Sequence, residues 1–140
     1  VIGDHSVFKG AEPEIVSCSS NEEEANAVLK WVKNLMDNGG FASHEICITP
    51  KKDHIISALT NAGINTFELK PREEDPGDQV PGIRMGTMHR IKGLEFRAIA
   101  MLATDPDDPI NNKENKNPIE RCTRYVACTR AREQLLVLIP

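Results

Sequence analysis

Short apolar runs and capped amphipathic helices alternate along this chain, and that alternation leaves few folds open. Residues 14–18 carry Ile15 and Val16 in a strand-like run. Ser20 then opens a helix: it is a strong N-cap, and Glu23 three residues on completes a capping box. Ala25, Val28, Leu29, Val32, Leu35 and Met36 follow at helical spacing as one apolar stripe. Asn38-Gly39-Gly40 ends the helix, because glycine readily takes the left-handed cap conformation. Residues 45–48 read as the next strand. Thr49 caps a second helix with Pro50 in its first turn, and Ile55, Ile56, Leu59 and Ala62 line one face. Residues 64–69 make a third strand. The order β-α-β-α-β predicts an α/β domain with a mostly parallel central sheet flanked by helices.

The second half continues the pattern with longer connections. Residues 70–81 hold three prolines and several charges and read as an exposed loop. Residues 82–88 and 98–102 are the next strands, the latter apolar throughout, as a buried strand is. Residues 103–117 form an acidic, Asn-containing loop expected to be mobile. Asn117 caps a helix entered through Pro118, with Ile119, Cys122, Tyr125, Val126 and Thr129 at helical spacing. Residues 134–139 are a last buried strand. Trp31 lies off the stripe of its helix. Core scaffolding is the simpler reading for that helix, and a partner contact is the alternative for Trp31.

Composition narrows the class. The 140 residues suggest one domain, and 39% hydrophobic content supplies a core. No apolar run is long enough to span a membrane, and no signal peptide is visible. A first residue of Val1 suggests a fragment or a processed chain. Cys18, Cys47, Cys122 and Cys128 form no C-x-x-C pair and have no histidine at zinc-ligand spacing. They read as reduced, mostly buried thiols of a cytoplasmic protein, with no metal site. A net charge of −4 argues against a nucleic-acid clamp covering the whole surface. The bases are nonetheless uneven. Arg84, His89, Arg90, Lys92 and Arg97 cluster in one stretch, and Arg121, Arg124, Arg130 and Arg132 in another.

Those stretches carry the chemistry. Residues 87–96 read T-M-H-R-I-K-G-L-E-F, between two strands. They place hydroxyl, imidazole, cations and one carboxylate at a strand end, where open α/β sheets bind ligands. Residues 124–131 read R-Y-V-A-C-T-R-A. Local physics alone allows plain readings. Arg130 suits a helix end as a cation complementing the dipole. Glu95 suits a surface pair with Arg97 or Lys92, His89 a bond to local backbone, and Tyr125 the core.

In this order the two stretches resemble motifs of the second RecA-like domain of UvrD/Rep-type superfamily I helicases. The resemblance implies a RecA-like three-layer fold over residues 1–140. It also implies that residues 70–81 stand where relatives carry an inserted domain. Arg130 would be an arginine finger on the γ-phosphate of ATP, and such fingers are worth about 10³ to 10⁵ in rate. Glu95 would hydrogen-bond the ribose, with Gly93 permitting a backbone shape that a side chain would forbid. Thr87, His89, Arg90 and Lys92 would be the nucleic-acid-binding candidates, using backbone contacts that read no sequence.

The chain has neither a G-x-x-x-x-G-K-S/T phosphate loop nor a D-E-x-x motif. The resemblance assigns both, and the Mg²⁺, to a first RecA-like domain of the same parent. The parent would be an ATP-dependent DNA helicase moving 3′–5′ on single-stranded DNA, with DNA repair as its setting. A non-catalytic RecA-like regulatory module and the motor part of a helicase-nuclease stay open as alternatives.

Overall fold

The computed structural model describes residues 13–91, 93–103 and 131–140. Within them lies one six-stranded sheet. Its strands are β1 (Glu14–Ser17), β2 (Ile46–Thr49), β3 (Thr66–Glu68), β4 (Ile83–Met85), β5 (Phe96–Leu102) and β6 (Ala131–Ile139). They lie in the order β1-β6-β5-β2-β4-β3, and every pairing among them is parallel. The helices are α1 (Asn21–Asp37), α2 (Asp53–Asn61) and the single turn α3 (Met88–Ile91). The expected α/β fold with a parallel sheet is present. None of the described helices is long and apolar enough to cross a membrane.

The order explains where the helices sit. The chain steps across the sheet in one direction from β1 to β3 and then returns. Crossovers of one hand that step the same way share a face, and α1 and α2 do. Val28, Val32 and Leu35 of α1 and Ile55 and Leu59 of α2 pack on Ile46, Ile48, Ala98, Ala100 and Leu136. The return places α3 on the other face, where Ile91 joins Cys47, Ile99, Met101, Leu135 and Val137. Strand side chains alternate between these two clusters, and both are buried. The continuous apolar run over residues 98–102 of β5 follows from that. Each fully buried aliphatic side chain contributes about 1.5–3 kcal/mol.

Helix α1 begins as expected at Ser20, whose hydroxyl accepts the Glu23 amide at 3.1 Å. The reciprocal bond reaches one residue further back than a capping box requires. Glu23 accepts from the Ser19 amide and hydroxyl at 2.6 and 2.7 Å. Gly40 takes the left-handed conformation at φ +69°, and Phe41 closes the end through its amide on the Leu35 carbonyl. Trp31 is a core residue, 8% exposed among Val28, Val32 and Leu35.

Several boundaries differ from expectation, each for a visible reason. Thr49 does not cap α2. It is fully buried as the last residue of β2, and its hydroxyl donates to the Gly86 carbonyl at 2.8 Å. The Thr49–Pro50 peptide is cis, and α2 starts only at Asp53. Glu45 lies in a 3-10 turn (Ser43–Glu45), where its carboxylate accepts the Ala42 amide. The strand expected over 82–88 stops at Met85, because Thr87 caps α3: its hydroxyl accepts the Arg90 amide and its carbonyl the Ile91 amide. Strand β6 starts three residues early, since Ala131 pairs with Phe96. Ala103 belongs with β5, its amide on the Leu138 carbonyl.

The connection over 70–81 is built rather than loose. Arg84 has no exposed surface. Its guanidinium holds Asp75 through Nε and Nη2, and the carbonyls of Gly77, Val80 and Gly82 at 2.8 to 2.9 Å. Four hydrogen bonds and the Nη2–Asp75 ion pair thus engage all three guanidinium nitrogens, and the group lies 4.7 Å from the centre of the Phe67 ring. Arg84 therefore leaves the basic cluster inferred from sequence. So does Arg97, which pairs with Glu133 and Glu45 and lies 3.9 Å over the Phe41 ring. Cys18 and Cys47 are free, buried thiols, and burial pushes both upward in pKa. Cys122, Cys128, Arg121, Arg124, Tyr125, the helix expected from Pro118 and nearly all of the loop expected over 103–117 lie outside the described residues.

Candidate functional site

The sequence stretch from Thr87 to Glu95 does not gather at one strand end. Met85 is level with Ile48, and Ile48 with Ala100. Thr87 therefore lies beyond the carboxyl ends of the strands. Phe96 is level with Ala131 at the amino ends of β5 and β6. The segment crosses the sheet, and its two halves are roughly 20 Å apart at about 3.3 Å per residue. This corrects the expectation of one cluster and leaves two separate groups.

The carboxyl-end group is Thr87, His89 and Arg90. The buried Thr49 hydroxyl on the Gly86 carbonyl fixes where the turn leaves the sheet. Thr87 and His89 are exposed, and His89 has no polar partner among the described residues. Arg90 is half-buried and already used in part, with Nε and Nη2 donating to the Lys70 and Glu73 carbonyls. A groove of about 590 Å³ opens here, lined by Pro71, Arg72, Glu73, Glu74, His89 and Arg90.

Sequence reasoning passed over three cations of this end. Lys51 follows β2, and Lys70 and Arg72 follow β3; all three are exposed. Lys51 pairs with Glu68 at 3.1 Å. Their common end becomes visible only from strand register, because they come from different connections. An edge of exposed cations, a hydroxyl and an imidazole can hold phosphodiester oxygens without reading bases.

The amino-end group is Gly93, Glu95 and Arg132. Gly93 has φ +93° with open space where a Cβ would lie. Its conformation, and not crowding, is what calls for glycine. Leu94 and Phe96 pack inward on the second core cluster, as their alternation predicts. Glu95 between them is exposed and pairs with Arg132 Nε at 3.2 Å. The partner seen among the described residues is thus Arg132 and not Arg97. Arg97 is occupied by Glu133 and Glu45. Its hydrogen bond holds the Glu133 carboxyl below the usual carboxylate range, while the Ala42 amide, more than Arg97, does so for Glu45. Arg130 and Lys92 lie outside the described residues. Ala131 pairs with Phe96, so the end of the second stretch meets the end of the first. Among the described residues, no three His, Cys, Asp or Glu side chains converge as a metal site needs.

Residues 49–139 match the family model of the UvrD-like helicase C-terminal domain. No curated protein is significantly similar to the chain. Among solved structures, the C-terminal domain of a possible DNA helicase from Lactobacillus plantarum WCFS1 is similar in fold. Its TM-score is 0.63 at 21% identity, over 99% of this chain and 83% of that one.

Proposed function

The chain belongs to the UvrD-like helicase C-terminal domain family, and from that premise we propose that this helicase motor domain serves two ligands at opposite ends of its sheet. The separation of Thr87 and His89 from Glu95 carries this reading. At the amino ends, Glu95 accepts hydrogen bonds from the ribose hydroxyls of ATP. Arg130, one residue before Ala131, supplies its guanidinium to the γ-phosphate. An always-charged planar fork suits phosphate oxygens on which charge builds during transfer. At the carboxyl ends, Thr87 and His89 hold the backbone of single-stranded DNA, with Arg90 beside them; Lys92 is a candidate for the same ligand by sequence alone.

The chemistry needs a partner domain. The described residues include no cage for Mg²⁺ and the sequence no phosphate loop, so a first RecA-like domain of the parent supplies both and the attacking water. This chain contributes the opposite wall of the cleft. Alone it binds ATP weakly and hydrolyses none.

The test is ATP hydrolysis by the intact parent, with and without single-stranded DNA, beside Arg130→Ala and His89→Ala. The Arg130 variant should lose about 10³-fold or more in kcat while ATP binding is largely kept. The His89 variant should weaken DNA binding equally for all sequences and leave DNA-free hydrolysis unchanged. Normal turnover in the Arg130 variant would remove the finger. No hydrolysis by the wild type would favour a non-catalytic regulatory module.

A further inference from the structure

Arg132 Nε donates to Glu95 Oε1 at 3.2 Å, across the amino ends of the adjacent strands β6 and β5. The two side chains are 55% and 58% exposed. A pair this open to water adds little to folding stability, so its effect falls on the carboxylate itself. Among the described residues, Arg97 and Glu133 are the charges nearest to this pair on the same strands. Arg97 is held by Glu133 and Glu45, while Arg132 acts on Glu133 only through a weaker charge attraction than Arg97 does. The backbone on both sides is fixed, with Phe96 opposite Ala131 and Leu94 and Phe96 anchored in the core.

A carboxylate offers about four lone-pair sites, and one Nε contact leaves Glu95 Oε2 without a polar partner among the described residues. Resting on the reading of Glu95 as the ribose contact, we propose that Arg132 is a positioning residue for the nucleotide. It holds the Glu95 carboxylate in the rotamer that presents Oε2 to the 2′- and 3′-hydroxyls of ribose. Without it the side chain samples other rotamers and binding must select the productive one. Arg132 touches Glu95 and not the phosphates, so it acts on nucleotide affinity and leaves the chemical step alone.

The experiment is steady-state hydrolysis by the intact parent with ATP and with 2′,3′-dideoxy-ATP, which lacks both hydroxyls. Arg132→Ala should raise KM for ATP about two- to fivefold, with kcat and the KM for the dideoxy nucleotide unchanged. Arg132→Lys should recover part of the loss, and Arg132→Ala should add nothing to Glu95→Ala. If Glu95→Ala discriminates between the nucleotides while Arg132→Ala does not, Arg132 is not a positioning residue and the ribose contact stands. If Glu95→Ala itself fails to discriminate, the ribose contact falls and this role of Arg132 with it.

Discussion

The buried guanidinium of Arg84 holds the Asp75 carboxylate at 2.8 Å, and so ties the connection between two parallel strands back onto the second of them. A connection of this length with only a 3-10 turn (Gly77–Gln79) would otherwise have little to order it. Arg84→Met should therefore destabilise the chain by about 1–3 kcal/mol, because the buried Gly82 carbonyl and the part-buried partners around it lose their donor. Arg84→Lys should recover only part, because one ammonium cannot reproduce five fixed donors. Urea unfolding measures both. A loss in the Met variant below about 0.5 kcal/mol, the range of ordinary surface changes, would show that the guanidinium does not hold the connection.

Thr49→Val tests the link between β2 and the turn at Thr87. The substitution keeps the shape and removes the hydroxyl, leaving the buried Gly86 carbonyl without that donor. The expected cost is about 1–3 kcal/mol. In the intact parent, single-stranded DNA affinity should fall with it, read by fluorescence anisotropy at fixed salt. Unchanged stability would mean that another donor replaces Thr49.

Acid should act through Arg97. Glu45 and Glu133 both sit below their ordinary value near 4.5 in the folded chain. The unfolded chain therefore takes up protons at higher pH. Their stabilisation is complete above about pH 4.5 and is lost as pH falls through the folded values. Arg97→Met should flatten this acid dependence, mostly through Glu133, because the Ala42 amide still holds Glu45. Thermal melts between neutral and acid pH decide it. A parallel acid profile in the variant would clear Arg97 of the effect.

Gly93→Ala should cost about 1–2 kcal/mol, because φ +93° is a conformation L-residues rarely adopt, although nothing crowds the position. If Gly93 also aims Glu95, KM for ATP in the parent should rise while DNA affinity is kept. A rise in neither KM nor folding cost would show that the turn relaxes freely.

Local sequence signals located most of the sheet. The apolar stripe of α1, the Ser20 cap and the apolar run over 98–102 each reflect a short-range cause, and each appears where expected, though β5 also takes in Phe96 and Arg97. Misreadings came where a side chain answers to something distant. Thr49 looks like a cap until Gly86, far along the chain, accepts its hydroxyl. Arg84 and Arg97 look like members of a basic patch until their carboxylates are found. Charged Arg132 and Glu133 hid the start of β6, since their partners Glu95 and Arg97 lie just before and at the start of the neighbouring strand. The motif residues were legible by type and spacing, but not their division between two ends. That division depends on strand register, which residue order does not display.

Residues 86–96 pass from one end of the sheet to the other, alongside a ladder of parallel strands that resists shear. In the proposed motor, a load at Glu95 and a load at Thr87 act on one rigid lever. Displacement at the nucleotide end reaches the DNA end as rotation of the whole body, with an arm of roughly 20 Å. The reach of a stroke then scales with the length of β5, so strand length acts as the gearing of the machine.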